Sequence, residues 1–343
     1  VAKRDASFME AVAKLKKHKL YPGPVLIILA TSSTVWATQE AAEQFKGAEM
    51  KLESLNFLEV VRHFESLPVA EIVRIYGAIG GVPAYLDKWD AAKSFKDNIC
   101  RLVLTPSGAL YGEADAVISA ELRELSAYST ILAAIARGEN KLNDIFHATG
   151  FSRAKISVYL KNLAAFNIVE KVVSFETGGW ENAKKGVYQI KDTFVNFWFK
   201  FVYPNMSNLY LLSPEEFYDT YIEKELDAYL ERYFREVCTE YLLILNQMGQ
   251  LPFTIKRVGT WIGKTGRIDI VAQSEDRRSI IGFCNWDKPM MTMDMCENMA
   301  MAMDQARLTS DDYYLFSATD FEPALQSYVV RDPRFKLINM NEL

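Results

Sequence analysis

One acidic residue inside an apolar segment near the C-terminus is the first candidate for chemistry. Residues 266–286 contain two runs with strand composition, IDIVA and SIIGFCNW, on either side of a charged turn. Asp269 is the single acid of the first run. A carboxylate of this kind is a common Mg²⁺ ligand where further oxygen ligands lie nearby. The question is therefore whether neighbouring elements complete a metal site.

Other residue types that bind metals or act as nucleophiles are sparse in this chain. The 3 His residues have no partner at zinc-ligand spacing, so neither a His-rich metal site nor a Ser-His-Asp triad is indicated. The 4 Cys residues are far apart and form no Cys-x-x-Cys pair. Because the N-terminus also lacks a signal-like pattern, we expect a reduced, cytoplasmic protein.

The stretch GTWIGKT at residues 259–265 resembles a phosphate-binding loop but lacks its spacing. That loop has about four residues between its glycines and leads into a helix. Here three residues separate Gly259 from Gly263, and a strand-like run follows. We interpret the stretch as a hairpin turn. With no other Walker A sequence and no Walker B acid pair, we expect no P-loop ATP hydrolysis by this chain alone.

Length and charge limit the classes of protein that fit. A chain of 343 residues is long for one core, so two or three domains are expected. The net charge of −5 argues against coating nucleic acid or anionic membrane through the overall field, although a local basic face stays open. The longest aliphatic run, at residues 25–30, is too short to span a bilayer, so no membrane partner is expected.

The residue patterning predicts mixed α/β and α structure. Residues 24–33 indicate a short buried strand, and residues 52–126 indicate helices with a break at Gly80-Gly81. Between residues 128 and 190, three helical stretches precede two strand-like runs, the order of a winged helix-turn-helix. The aromatic run at residues 192–205 predicts a buried junction. The remaining residues predict a compact α/β domain.

Seven parts of the chain occur together in one order: VLIILATSSTVW, YGAIGGVPAYLDKWD, GALYGEADAVISAELRE, YSTILAAIARGENKLNDI, VYLKNLAAFNIVEKV, KKGVYQIKDTFVNFWFKFVYPN, and RIDIVA with IIGFCNW. In this combination the chain closely resembles the archaeal-type P-loop ATPases of the AAA-like group, over nearly its whole length. That family has a nucleotide-binding domain, a winged helix and a C-terminal domain similar to restriction endonucleases. The resemblance implies the C-terminal portion of such a protein, with Walker A and Walker B elements upstream of Phe8.

The resemblance divides the chain into five parts. These would be a partial P-loop ATPase core with the sensor-1 strand, a helical lid, the winged helix, linker helices and a degenerate restriction-endonuclease-like domain, at residues 1–50, 51–126, 127–192, 193–228 and 229–343. The parent protein would bind ATP and Mg²⁺, whereas no cofactor is expected for this chain alone.

Two motifs, one in the partial ATPase core and one in the helical lid, have a role in the resembling family. Each also has a simpler explanation. Thr31, Ser32 and Ser33 would end the sensor-1 strand, whose hydroxyls help to position the attacking water or the γ-phosphate. For this chain, capping of the next turn is the favoured role of these hydroxyls. The Gly-Gly-x-Pro motif of the lid is better explained as a helix break than as a nucleotide contact.

The third helix of the winged helix-turn-helix is the candidate DNA-binding element. Ile156, Leu160 and Leu163 form its apolar stripe. Residues largely off this stripe would meet the major groove, and two lysines of the wing would meet phosphates. These residues are Arg153, Lys155, Ser157, Lys161, Asn162, Lys184 and Lys185. The alternative is a protein-docking module with a solvated basic face, because a fold alone does not give function.

The resemblance also bears on Asp269. Nucleases of the restriction-endonuclease type hold Mg²⁺ with a strand-end Asp and a Glu two residues before a Lys, often with a further Glu from the preceding helix. Here Phe283 stands at the strand Glu position and Asn285 at the Lys position. Arg235 stands at the helical acid position, with Glu236 beside it.

A degenerate site of this composition predicts no catalytic residue and no metal. One carboxylate is too few for tight Mg²⁺ binding, and neither Phe nor Asn replaces what is missing. We expect Asp269 to have a local hydrogen-bonding or salt-bridge role, with Arg267 or Lys264 as partner.

A methionine-rich segment lies in the last part of the chain. Seven of the 12 Met residues fall between Met290 and Met303. Core filling is the favoured interpretation, with a surface for a partner protein or self-association as the alternative and methionine-based copper binding as a remote third.

Together these features predict a non-catalytic module that binds double-stranded DNA or a partner protein, coupled in the parent protein to an ATP switch. Three alternatives stay open: a docking module without DNA binding, an ATPase whose P-loop lies upstream, and a residual metal-dependent nuclease.

Overall fold

The computed structural model describes residues 7–17, 26–31, 50–120, 122–175, 186–263 and 266–343. Within these ranges the chain is mixed α/β, with helices before a five-stranded sheet. The α-helices before the first strand are α1 (Ser7–Lys17), α2 (Phe57–His63), α3 (Val69–Ile79), α4 (Pro83–Leu86), α5 (Phe95–Ile99), which continues into a π-helix at Cys100–Leu104, α6 (Glu113–Ser119), α7 (Leu125–Ala136), α8 (Leu142–Thr149) and α9 (Arg153–Ala165).

The remaining α-helices and strands follow in chain order. They are β1 (Val169–Val172), β2 (Val187–Ile190), α10 (Thr193–Phe197), α11 (Met206–Leu209), α12 (Pro214–Tyr221), α13 (Glu223–Gln247), β3 (Arg257–Ile262), β4 (Arg267–Gln273), β5 (Ser279–Asn285), β6 (Met290–Met291), α14 (Met293–Ala306), β7 (Asp312–Ser317), β8 (Asp320–Phe321), α15 (Pro323–Arg331) and β9 (Phe335–Asn339).

Two glycines separate α3 from α4. Gly80 ends α3 with a φ of 68°, a conformation that favours glycine. At Gly81 the backbone lies against Leu55, whose amide donates to the Gly81 carbonyl, and a Cβ on Gly81 would lie 1.8 Å from the Leu55 oxygen. Pro83 is the first residue of α4, where no amide proton is required. The predicted helix break is therefore confirmed.

Residues 26–31 do not form the predicted buried strand. They have no regular secondary structure, and Leu26 and Ile28 are 83% and 78% exposed. The prediction is wrong for these residues. An aliphatic run needs a neighbouring strand to satisfy its backbone, and none of the described strands pairs with it.

Three helices, α7 to α9, precede the antiparallel pair β1–β2, in the predicted order. Gly150 ends α8 with a φ of 70°, and the Ser152 hydroxyl caps α9 by accepting from the Lys155 amide. The apolar stripe of α9 is buried, so the opposite side of this helix faces solvent.

The aromatic run after β2 is a buried junction, as predicted. The side chains that fill it are Phe194, Val195, Phe197, Trp198, Phe199, Phe201 and Val202. They belong to one apolar core that extends from Phe57 to Met340 and includes α3, α9, α13 and one face of the C-terminal sheet.

The C-terminal sheet has the strand order β3-β4-β5-β7-β9. The pairs β3–β4 and β4–β5 are antiparallel, whereas β5–β7 and β7–β9 are parallel. Helix α13 packs on one face of the sheet, and α14 and α15 pack on the other. Within the described residues, Gly259, Trp261 and Ile262 pair antiparallel with β4, so this part of the predicted hairpin is a strand and not the start of a helix.

Helix α13 connects the helical half of the chain to this sheet. The Tyr229 hydroxyl donates to the Gly77 carbonyl of α3 over 3.0 Å. The Glu240 carboxylate accepts from the first amides of α2, at 3.0 Å from Phe57 N and 3.1 Å from Leu58 N. The boundary expected between residues 228 and 229 lies inside α13.

Replacing Gly81 with Ala should destabilise the protein by about 3 kcal/mol or more, because a methyl group cannot fit against the Leu55 backbone. Gly112→Ala is the matched control, since nothing lies within 4 Å of a Cβ at Gly112. Its effect should stay within about 1 kcal/mol. Urea unfolding followed by circular dichroism measures both, and equal loss in the two variants would contradict the proposed steric cause.

Candidate functional site

A β-bulge sets the direction of the Asp269 side chain. Strand β4 has one extra residue relative to β3 between two stretches of regular pairing. Ile268 therefore packs on the side of α14 and α15, whereas Ile270 packs on the side of α13. The Asp269 carboxylate also meets α13, because Arg235 of that helix is its partner.

Three N–H donors engage the Asp269 carboxylate. Oδ1 accepts from Arg235 Nε at 2.9 Å and from Arg267 Nε at 3.0 Å, and Oδ2 accepts from the Cys284 amide at 3.1 Å. Asp269 is 5% exposed and the Arg235 side chain 14%. The predicted ion pair with Arg267 is present, and a second guanidinium group from α13 joins it.

This arrangement does not fit a Mg²⁺ site. Mg²⁺ requires oxygen ligands in near-octahedral geometry, whereas both Asp269 oxygens already accept hydrogen bonds and two positive charges adjoin them. In the described part of the chain, no group of three or more His, Cys, Asp and Glu residues is placed to hold a metal ion. No metal-dependent step follows from this geometry.

The two other strand positions of the predicted degenerate site lie on the opposite face of the sheet. Phe283 packs against the apolar cluster of α14 and α15. Asn285 is 2% exposed, and its amide donates to Ser317 Oγ at 3.0 Å and to Thr319 Oγ1 at 3.2 Å. Both residues belong to the central strand β5, next to the parallel strand β7, and their side chains face away from the Asp269 carboxylate.

Glu236 is also directed away from Asp269. Its Oε1 accepts from Arg232 Nε at 2.8 Å, and Arg232 Nη1 donates to the Ile190 carbonyl of β2 at 2.8 Å. Arg232 therefore ties the β1–β2 hairpin to α13, a role that sequence reasoning missed. The available signal was the spacing of Arg232 and Glu236, four residues apart on one helix face.

A further acid lies near the two guanidinium groups. Burial raises the pKa of Glu231, and the negative charge of Asp287 raises it further, whereas Arg267 and Arg235 oppose the shift. The mixture of acids and arginines balances charge locally, which favours a structural role over one in anion binding.

The exposed side of α9 carries part of the predicted DNA-contacting set. Arg153, Ser157 and Lys161 are exposed and follow one another at intervals of four residues, so they form one stripe along the helix. The Arg153 guanidinium lies 3.9 Å from the Phe146 ring centroid and donates to Asn143 Oδ1. These two contacts hold Arg153 in a defined position at the start of the helix.

Two other predicted contact residues of α9 are engaged within the protein. The Asn162 amide donates to the Tyr128 hydroxyl at 2.8 Å. Lys155 is half-buried, and its Nζ lies 4.4 Å from the Phe151 ring centroid. Neither belongs to the exposed stripe.

Thr31 is exposed, whereas Ser32, Ser33, Lys184 and Lys185 lie outside the described residues, as does Lys264. Their assigned roles stay predictions.

The methionine-rich segment is mixed in exposure. Met291, Met299 and Met303 are buried in the cluster on the outer face of the sheet, which agrees with core filling. Met290 and Met301 are 40% and 55% exposed.

Comparison with known proteins gives similarity to uncharacterized sequences. Residues 198–302 match a family, DUF234, described as archaeal and bacterial proteins of unknown function. The chain is also 30% identical over 243 residues to the uncharacterized protein MJECL04 of Methanocaldococcus jannaschii. That alignment covers 70% of this chain and 54% of the relative, so the chain spans about half of the relative's length. No solved structure matches.

The helices of the described ranges also bear on the expectation of no membrane partner. None of the helices there is both long and apolar enough to cross a bilayer.

Replacing Asp269 with Ala should lower the free energy of unfolding by about 3 kcal/mol, because it leaves Arg235 buried without its counter-charge. Asp269→Asn should cost less, since an amide oxygen still accepts hydrogen bonds. The control is Glu236→Ala, which removes an ion pair at a more exposed position and should cost about 1 kcal/mol or less. Denaturant unfolding at constant pH measures all three; an Asp269→Ala variant as stable as the wild type would contradict the role given to this ion pair.

Proposed function

We propose that the chain binds double-stranded DNA through α9 and the β1–β2 hairpin, as a non-catalytic part of a larger ATP-dependent protein. The order of three helices and a hairpin is that of a winged helix-turn-helix, in which the third helix enters the major groove. The observation that carries the proposal is the exposed stripe of Arg153, Ser157 and Lys161 on that helix.

The stripe has the chemistry that a duplex requires. Arg and Lys side chains pair with phosphates or with guanine acceptors, and a Ser hydroxyl donates or accepts at either. Consecutive members are separated by about 6 Å along the axis at 1.5 Å per residue. Because Arg153 is already held by Phe146 and Asn143, less side-chain entropy would be lost when it meets DNA.

The region around Asp269 argues against the nuclease alternative. A nuclease of this type needs at least two carboxylates and a Lys at one metal. The carboxylate of Asp269 instead pairs with two arginines, and Phe283 and Asn285 pack on the other face of the sheet. Converting this region into a metal site would require changes on two elements and on both faces.

Coupling to ATP is proposed from the family resemblance, and the contacts of α13 suggest its route. Arg232 bonds the hairpin carbonyl of Ile190, and Tyr229 bonds the Gly77 carbonyl in the helices that the resemblance assigns to the lid. A movement of the lid would therefore carry the hairpin with it.

The proposal of ATP coupling requires a Gly-x-x-x-x-Gly-Lys-Ser/Thr sequence after a strand, encoded upstream of Val1. A coding region without that sequence would remove ATP coupling but would leave DNA binding open.

The DNA proposal predicts a salt-dependent loss of affinity in Lys161→Ala. Binding of the protein to a fluorescein-labelled duplex, followed by anisotropy at several salt concentrations, gives the slope of log affinity against log salt. Loss of one phosphate contact should reduce this slope by about 1. Lys224→Ala is the charge-matched control, because Lys224 is exposed on α13 and belongs neither to α9 nor to the β1–β2 hairpin, so its removal should leave the slope unchanged.

A second candidate function is docking of a partner protein on α9, and Val158 favours it. This residue is 57% exposed on the same side of the helix as the stripe. If the wild-type protein shows no duplex binding at low salt, the DNA proposal fails and this candidate takes its place. Val158→Asp would then be expected to abolish capture of the partner.

Incubation of the protein with supercoiled plasmid and Mg²⁺ or Mn²⁺ should give no cleavage, because no metal-binding set adjoins Asp269. Agarose electrophoresis provides the measurement. Cleavage by the wild type that disappears in Asp269→Asn, with folding verified by circular dichroism, would establish the nuclease alternative instead.

A further inference from the structure

We propose that Cys238 of α13 and Cys284 of β5 are an oxidisable dithiol that hydrogen peroxide converts into a disulfide between the helix and the sheet. The proposal does not depend on DNA binding or on ATP. It concerns two thiols that are 46 positions apart in the chain and that lack any Cys-x-x-Cys spacing. Folding brings them together, so the sequence gives no sign of the pair.

The packing of α13 on the sheet places Cys238 and Cys284 next to each other. Cys238 belongs to the core between α13 and the sheet, and Cys284 packs against the same core. Arg235 of α13, one helical turn before Cys238, and the amide of Cys284 both donate to the Asp269 carboxylate, so the Cys238 side chain lies beside Cys284 in this core. The backbone at Cys284 is fixed as well, because its amide donates to Asp269 Oδ2 at 3.1 Å.

The two cysteines differ in their access to solvent. Cys238 is 0% exposed, whereas Cys284 is only partly buried. A small oxidant from solvent therefore reacts first with the Cys284 sulfur. The Cys238 sulfur is buried, so it reacts only afterwards, with the oxidised Cys284 sulfur beside it. This difference assigns an order to the reaction.

In the first step, the Cys284 sulfur attacks one peroxide oxygen. An S–O bond forms, the O–O bond breaks, and the leaving hydroxide takes the thiol proton as water, which yields a sulfenic acid. In the second step, the Cys238 sulfur attacks the Cys284 sulfur. The S–S bond forms, the S–O bond breaks, and a second water leaves. Two thiols are oxidised by two electrons in total, and one hydrogen peroxide is reduced to two waters.

The second step should be the slower one. Burial raises the pKa of Cys238 well above its ordinary value, so little of the nucleophilic thiolate is present at neutral pH. The sulfenic acid on Cys284 should therefore persist long enough to react with dimedone. A disulfide should form at its expense over time.

The remaining cysteines provide internal controls. Cys296 lies on α14, on the opposite face of the sheet, and Cys100 lies in the helical half. The variant Cys100→Ser/Cys296→Ser retains the proposed pair alone. The variant Cys284→Ser removes the residue that meets the oxidant, and Cys238→Ser removes the residue that resolves the sulfenic acid.

The test is treatment of the whole chain with hydrogen peroxide, followed by intact mass and non-reducing peptide mapping. We expect a loss of about 2 Da, a linked peptide pair containing Cys238 and Cys284, and reversal by dithiothreitol. The Cys100→Ser/Cys296→Ser variant should behave identically. Cys284→Ser should form no linked pair, and Cys238→Ser should instead accumulate the dimedone adduct on Cys284.

Two results would overturn the proposal. One is oxidation of Cys284 to sulfinic acid, a gain of about 32 Da, in the wild type without any linked pair. The other is full recovery of both thiols under conditions that oxidise Cys296. A melting measurement adds a second readout, because the disulfide should raise the Tm of the oxidised wild type but not of peroxide-treated Cys284→Ser.

Discussion

The fold depends on burying α13 along two of its sides at once. Leu230 and Tyr233 pack toward the helices of the N-terminal half, where Gly77 provides the space for them. Phe234 and Tyr241 meet the sheet through Trp286 and Phe316. A helix in this position leaves little room for polar groups, so each polar side chain along it must find a partner. Its neighbours supply these partners.

Those partners also specify how the parts fit together. Glu240 caps α2, Tyr229 bonds α3, Arg232 bonds the hairpin, and Arg235 pairs with Asp269 of the sheet. A buried ion pair adds little net stability relative to apolar packing, because desolvation offsets most of the attraction. Its directional requirement, however, excludes alternative placements of the helix. The polar contacts of α13 therefore contribute more to the uniqueness of the arrangement than to the free energy of unfolding.

Local patterns in the sequence were sufficient for much of this architecture. The Gly80-Gly81 break, the Ser152 cap, the apolar stripe of α9 and the hairpin before Arg267 all depend on residues close in the chain. Residues 26–31 failed as a strand because a strand depends on partners, and hydropathy does not report whether partners exist. The sequence pattern also did not predict the bulge in β4, which places the Asp269 side chain on the opposite face of the sheet. Side-chain alternation alone would place it with Phe283 and Asn285 in one site, whereas the register places them apart.

The pairing of Asp269 with two arginines, and not with a metal ion, has a consequence for the sheet. A carboxylate near a divalent cation depends on that ion for neutralisation, so its surroundings loosen when the ion leaves. Guanidinium groups from α13 and from β4 itself are permanently charged and covalently attached. The sheet and α13 are therefore held together without an exchangeable component. The contact between α13 and the sheet therefore does not vary with the concentration of a free metal ion.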